Sequence, residues 1–201
     1  MIRLHTKIPE NFILALSGGP DSMAALDFFQ RGRKNFKCAY FDHGTSHSHD
    51  ASLHVSVECK KRGIGLIVKS IDKGKIDPKG RLENEWRKQR IAFFNSLKSE
   101  VITAHNLDDA VEWWVFTSFH GNPRIIPTRN KNILRPFLTT SKKEILEWNS
   151  RNNVISVSDP GNKDVKFMRT IVRHEILPSA LKVNPGIRKV IKKKIIKENN
   201  K

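Results

Sequence analysis

Short apolar runs, each followed by a segment long enough for a helix, limit this chain more than any other feature of its sequence. The first, Phe12-Ile13-Leu14-Ala15-Leu16, stops at Ser17-Gly18-Gly19. Its brevity and the glycines behind it predict a buried strand. Pro20 stands where a helix can begin, and Ala24, Leu26, Phe28 and Phe29 follow on a predicted helix. Further strands are expected over 36–41, 66–68, 101–103 and 132–137, and helices over 50–62, 82–97, 107–119 and 142–148. In the helix over 50–62, Leu53 and Val57, with Val55, are expected to supply the apolar faces. A polar link with Gly74, Pro78 and Gly80 precedes the helix over 82–97. Strands alternating with helices predict an α/β fold: a doubly wound, parallel, five-stranded sheet with helices on both faces. Such sheets bind ligands outside the carboxyl ends of their strands. Ser17, Asp42 and His105 all fall just past strand ends, so one rim gathers three distant segments.

Charge indicates the kind of partner. Lys and Arg number 37 against 20 Asp and Glu, a formal +17 over 201 residues. A surface that positive attracts phosphate polyanions, and nucleic acid above other partners. The only cysteines, Cys38 and Cys59, form no C-x-x-C pair, which leaves a thiolate metal site unsupported and fits a reducing, cytoplasmic setting. No apolar stretch is long enough to span a membrane, and the N-terminus lacks the pattern of a secretory signal. Residues 183–201 carry Arg188, Lys189, Lys192, Lys193, Lys194, Lys197 and Lys201, with Ile187, Val190, Ile191 and Ile195 at helical spacing. This predicts a basic amphipathic helix that either docks on the domain or touches RNA or an acidic partner.

The string Ser17-Gly18-Gly19-Pro20-Asp21-Ser22 suits phosphate. It lacks the lysine of a Walker A loop. Its glycines let backbone approach an anion, and the helix start at Pro20 offers unpaired N–H groups and a favourable dipole. Ser17 and Ser22 add hydroxyls. Asp21 would repel phosphate unless a cation lies between them, which implies Mg²⁺. A plain strand-to-helix turn has similar composition. His43, His47, His49 and His54 lack the carboxylate or cysteine partners of a metal centre. Arg87 and Arg90 share a helical face one turn after Glu83. They either pair within the helix or aim two guanidinium groups at phosphate. Asp108, Asp109 and Glu112 open another helix, where they can cap it, hold Mg²⁺ or orient an amine.

Ser17-Gly18-Gly19-Pro20-Asp21-Ser22 resembles the PP-loop of ATP pyrophosphatases, which cleave ATP between the α and β phosphates. Asp42-His43-Gly44 resembles the D-H-G segment of tRNA(Ile)-lysidine synthetases. Glu83, Arg87 and Arg90 match that family's E-A-x-A-R-x-x-R-Y, with Asn84, Trp86 and Ile91 departing from it. His105, Asp108, Asp109 and Glu112 match T-A-H-x-x-D-D-Q-x-E-T, where Ala110 and Trp113 replace Gln and Thr. Leu134-Arg135-Pro136-Phe137-Leu138 is similar to I-R-P-L-L. Asp159-Pro160-Gly161-Asn162 and 167–178 are similar to D-P-S-N and Y-x-R-N-x-I-R-H-x-L-L-P, matching at Asn162, Arg169, Arg173 and Pro178, with Thr170 in place of Asn.

The resemblance runs in order from about Phe12 to Pro178 and implies the family's adenine nucleotide alpha hydrolase-like fold with a C-terminal helical extension. It divides the chain into an ATP-binding catalytic domain (1–140), its helical continuation (141–182) and the basic tail (183–201). It implies adenylation by ATP of the wobble cytidine of a tRNA(Ile) with a CAU anticodon, followed by attack of free L-lysine. Ser17, Gly18, Gly19, Pro20, Asp21, Ser22, Asp42, His43 and His105 would bind ATP, with Asp21 acting through Mg²⁺. Arg87 would meet charge at the α phosphate. Asp108, Asp109 or Glu112 would bind or deprotonate lysine. Arg90, Arg169 and Arg173 would contact RNA or phosphate. The family's C-terminal tRNA-binding domains have no counterpart here, so the basic tail or a partner subunit, such as a second copy, is expected in their place. A 2-thiolating PP-loop enzyme and a non-catalytic RNA-binding remnant are the alternatives.

Overall fold

The computed structural model describes residues 1–76, 82–157 and 168–199. Pro78, Gly80, Asp159-Pro160-Gly161-Asn162 and Phe167 lie outside the described residues, as does the side chain of Glu83. The chain forms β1 (Asn11–Leu16), α1 (Pro20–Arg31), β2 (Asn35–Asp42), α2 (Ser46–Lys61), β3 (Leu66–Ser70) and α3 (Leu82–Ser96). It continues through β4 (Val101–Ile102), α4 (Leu107–Phe119), β5 (Arg129–Asn130), β6 (Ile133–Leu134) and α5 (Lys142–Asn152). The described helices after these are α6 (Met168–Ile171), a π-helical turn (Val172–Ile176), α7 (Leu177–Val183) and α8 (Ile187–Asn199).

The sheet runs β3-β2-β1-β4-β6-β5. The five parallel strands expected from the sequence are β3, β2, β1, β4 and β6. The last is only two residues long and carries a sixth, antiparallel edge strand, β5. Lys131 between them has φ 52, and this left-handed residue turns β5, which precedes the strand expected over 132–137, back onto β6, all that forms of that strand. Alternation along β1 sends Phe12, Leu14 and Leu16 to one face, beneath α1, α2 and α5, and Ile13 and Ala15 to the other, against Phe94 of α3. Phe12, Phe28, Phe29, Phe36, Phe137 and Trp148 interlock on the first face, with Phe12 and Phe29 edge to face at 4.9 Å.

Helix α2 begins four residues before its expected start, because Thr45 and Ser48 form a reciprocal capping box. Its buried stripe is Ala51, Val55 and Cys59, spaced by four, whereas Leu53 and Val57 point outward and are 56% and 63% exposed. The apolar face is thus built from small residues that let the helix lie close to the sheet.

A second core joins α4 to the C-terminal helices. Leu107, Ala110, Val111 and Val115 pack with Leu138, Val172 and Leu177, and with Ile187, Ile191 and Ile195 of α8. The basic segment therefore docks through its isoleucine stripe. No described helix is long and apolar enough to cross a membrane.

Candidate active site

The carboxyl ends of β1 and β4 open into a cleft of about 730 Å³. Ser17, Gly19, Pro20 and Asp21 of the loop form one wall, Asn106, Asp108, Asp109 and Glu112 a second, and Arg173, Leu177 and Arg188 a third. The loop's shape follows from Gly18, which sits at φ +77, where a Cβ would stand 2.8 Å from Val157 Cγ2. Its carbonyl accepts from Val157 N at 2.9 Å. Ser22 Oγ accepts from Ser17 N at 3.1 Å and donates to Gly19 O at 3.1 Å. The Ser22 hydroxyl, expected as a ligand donor, thus first holds its own loop. Gly19 caps α1 with no side-chain hydrogen bond, and Pro20 opens the helix. The first-turn N–H groups of Asp21 and Ser22 have no acceptor within the helix, and with the dipole they suit an anion at this end of α1.

Asp21 stands on that first turn, and both its oxygens accept from Lys142 Nζ at 2.7 Å. Asn106 Nδ2 donates to Asp21 Oδ1 at 3.2 Å. Asn106 also caps α4, accepting from the amides of Asp108 and Asp109 at 2.8 and 3.1 Å, while its own N–H donates to Asp109 Oδ2 at 2.9 Å. One asparagine thereby joins the phosphate loop to the acidic helix.

The three carboxylates of α4 have different surroundings. Asp108 accepts from Lys142 N at 2.7 Å and from Arg188 Nε at 2.9 Å. Glu112 is 2% exposed. It takes Arg169 Nε at 2.8 Å on one oxygen and Arg173 Nε at 2.7 Å on the other. Arg169 also lies over the Trp113 ring, and Arg173 sits in the π-helical turn, a feature frequent at functional sites. Among the described residues, the nearest ion-pair partner of Asp109 is Arg173 Nη2, at 3.9 Å. Burial, with Asp21 and Glu112 nearby, pushes the Asp109 carboxyl up to about 6.

His105 is oriented by Thr103 Oγ1 at 2.8 Å from its Nδ1. Burial, reinforced by Arg135, Arg90, Arg169 and Arg87, lowers its pKa to about 3, so the ring is neutral. Arg135 is 8% exposed, donates to Pro127 O at 2.9 Å, and is lowered to about 10 by burial and by Arg87. Asp42 accepts from Gly44 N at 2.8 Å and from Ser48 Oγ at 2.5 Å. His43 packs between Phe41 and Trp86 of α3, at 5.1 and 5.3 Å.

The structure brings Ser17, Gly19, Pro20, Asp21, Asp108, Asp109, Glu112 and Arg173 into the wall of one cleft. Gly18 and Ser22 shape the loop behind that wall, and Asp42, His43, His105, Arg87, Arg90 and Arg169 do not line it. Arg87 lines a shallower depression on α3. Sequence reasoning did not single out Lys142, Asn106 or Arg188 as site residues. A signal existed for Lys142: a lysine in the first turn of a helix opposes the dipole and calls for a carboxylate partner. Among the described residues no group of three or more His, Cys, Asp or Glu is arranged to hold a metal. With both Asp21 oxygens on Lys142, a cation bound there would have to displace an ammonium group.

Residues 3–180 match the family profile described as PP-loop domain. The chain is 30% identical over 195 residues to the tRNA(Ile)-lysidine synthase of Staphylococcus aureus strain MW2, covering 86% of this chain and 44% of that protein. It is 29% identical over 194 residues to the protein of the same name from Francisella tularensis subsp. novicida, covering 89% and 48%. It thus spans about half the length of the curated relatives it matches. The fold superimposes on the U34-tRNA thiolase NcsA of Methanococcus maripaludis with a TM-score of 0.71 at 16% identity, over 95% of this chain and 74% of that one.

Proposed function

The chain belongs to the PP-loop domain family, and from that premise we propose that it carries the catalytic centre of a tRNA(Ile)-lysidine synthase. The substrates are ATP, a tRNA(Ile) with a CAU anticodon, and free L-lysine. The observation that carries this reading is the meeting, across Asn106, of a loop suited to phosphate with an acidic helix suited to an amine.

In the first step the cytosine 2-carbonyl oxygen attacks the α phosphorus of ATP, and pyrophosphate leaves. The loop amides from Gly18 onward and the α1 N-terminus hold the departing phosphates. Lys142, released from Asp21 by the incoming anion, contributes a positive charge. Mg²⁺ would enter as the counter-ion of ATP, and Asp21 would reach it once Lys142 has moved off its carboxylate. In the second step the lysine ε-amine attacks C2 of the adenylated ring, and AMP leaves with the former carbonyl oxygen.

The amine must lose a proton to attack, and the surroundings of the α4 carboxylates choose among them. Glu112 is held by two guanidinium groups and Asp108 by Arg188, so both are spoken for. Asp109, raised to about 6, is the base suited to neutral pH. Arg87 and Arg90 on α3 are assigned to RNA or phosphate outside the cleft. Arg169 and Arg173 position Glu112.

Thiolation is disfavoured because both cysteines are buried in the core beneath α2, away from the cleft. The test is incubation of the purified chain with ATP, Mg²⁺, radiolabelled lysine and a CAU-bearing transcript. Label in the tRNA that disappears when the wobble cytidine is replaced supports the assignment. Cleavage of ATP to AMP and pyrophosphate with no label transfer would overturn lysine as the nucleophile.

A further inference from the structure

Helix α8 presents two faces of opposite character. Ile187, Ile191 and Ile195 are 7%, 0% and 1% exposed against α4. Lys189, Lys193 and Lys197 recur every four residues on the side turned away from that core, with Lys192 beside them. At 1.5 Å per residue, successive ammonium-bearing positions stand about 6 Å apart along the axis.

This row is electrostatically unfavourable to the helix that carries it. Like charges four residues apart destabilise a helix, and Arg188 and Lys189 sit in the first turn, against the dipole. A solvated helix would intersperse acidic residues, yet Glu198 is the only one between 187 and 199. Among the described residues no carboxylate lies within ion-pair distance of Lys189, Lys192, Lys193, Lys194 or Lys197. At the same end of the helix, Arg188 Nη2 reaches Asp108 Oδ1 at 2.7 Å and lines the cleft. The row therefore begins at the wall of the candidate active site.

We propose that the outward face of α8 is a docking surface for the phosphate backbone of RNA, which it guides toward the cleft. RNA is favoured over an anionic bilayer because the apolar stripe that would enter lipid is already buried against α4. It is favoured over an acidic protein because the row has no aromatic anchor, and the apolar side chains beside it, Val190 and Ile196, are scattered and only 43% and 41% exposed. The inference rests on the reading that the substrate is a tRNA, and it assigns a surface outside the reacting residues.

The test compares the full chain with K189Q/K193Q/K197Q and K189R/K193R/K197R. Kd for a CAU-bearing transcript is measured across KCl concentrations, with ATP affinity measured alongside. Neutralising three phosphate contacts lowers the slope of log K against log salt by about 2 to 3 and weakens binding on the order of 100-fold near 150 mM salt. ATP affinity stays unchanged, and the arginine variant binds as the parent does. A glutamine variant with the parent's Kd and slope overturns the docking surface. So does one that loses binding only to anionic vesicles or to an acidic peptide. If the parent binds tRNA through these lysines but transfers no lysine to it, the docking surface stands and the lysidine assignment falls. If the parent transfers lysine and the glutamine variant binds equally well, the reverse holds.

Discussion

Replacing Asp109 with asparagine should make the protein more stable and less active. The carboxyl is lifted from 3.8 to about 6, so the native state holds its proton more tightly than the unfolded chain does. The sign follows from linkage: between those values the unfolded chain has released the proton that the folded chain retains. Stability is therefore lost as pH rises through about 6, and above it the native state carries a buried, crowded charge. About two pKa units correspond to an upper limit of about 3 kcal/mol. The Asp109 side chain is 23% exposed, so a gain on the order of 2 kcal/mol is expected, or about 4–8 °C in Tm for a domain of this size. Asparagine preserves the acceptor for Asn106 N, so the α4 cap survives. Thermal melts of D109N and the parent from pH 4 to 8 should nearly coincide near pH 4, diverge as pH rises from about 4 to about 6, and keep a constant gap above that. Lysine transfer by D109N should fall by at least 100-fold while ATP affinity holds. A D109N protein less stable than the parent at pH 7.5, or a gap independent of pH, would refute the electrostatic argument. Full lysine transfer would refute the role as base.

The remaining substitutions probe the loop and the clamp. Gly18→Ala places a Cβ at φ +77 and 2.8 Å from Val157 Cγ2; destabilisation of about 1–2 kcal/mol and a loss of ATP affinity are expected, read by denaturant melts and nucleotide titration. Glu112→Gln leaves Arg169 and Arg173 without their shared anion. Because both guanidinium groups are about a third exposed, the loss should reach about 2–3 kcal/mol, below the usual value for breaking a buried pair. A Tm within 2 °C of the parent, roughly half the smallest shift expected for this size of domain, would show the clamp to be dispensable.

The parts of the fold legible in the sequence were those written locally. Phe12–Leu16 before two glycines, and the polar Asn106-Leu107-Asp108-Asp109 start of α4, carry their conformation in adjacent residues. The β5–β6 hairpin was not legible, because a left-handed lysine rather than a glycine turns it. The inner stripe of α2 was misjudged for a related reason: leucine and valine look like core residues, but close approach to the sheet selected Ala51 and Cys59. In the site, the acidic residues were visible and their partners were not. Glu112 meets arginines 57 and 61 residues further along, and Asp21 meets a lysine 121 residues away. Only folding reveals that Glu112 is clamped and that, among the described residues, Asp109 has no comparably close cation, which separates three neighbouring carboxylates by role.

The covering of α4 by α8 also sets an order of events during synthesis. Val115 and Ile195 belong to one core but leave the ribosome roughly 80 residues apart, an interval of about 4–16 s at ordinary elongation rates. Through that interval the apolar side of α4 lacks its last layer, and Asp108 lacks Arg188. The sheet and phosphate loop can settle first, whereas the acidic wall acquires its final shape only when α8 folds back onto it. A growing polypeptide is thus kept from presenting a finished cleft before α8 has been made.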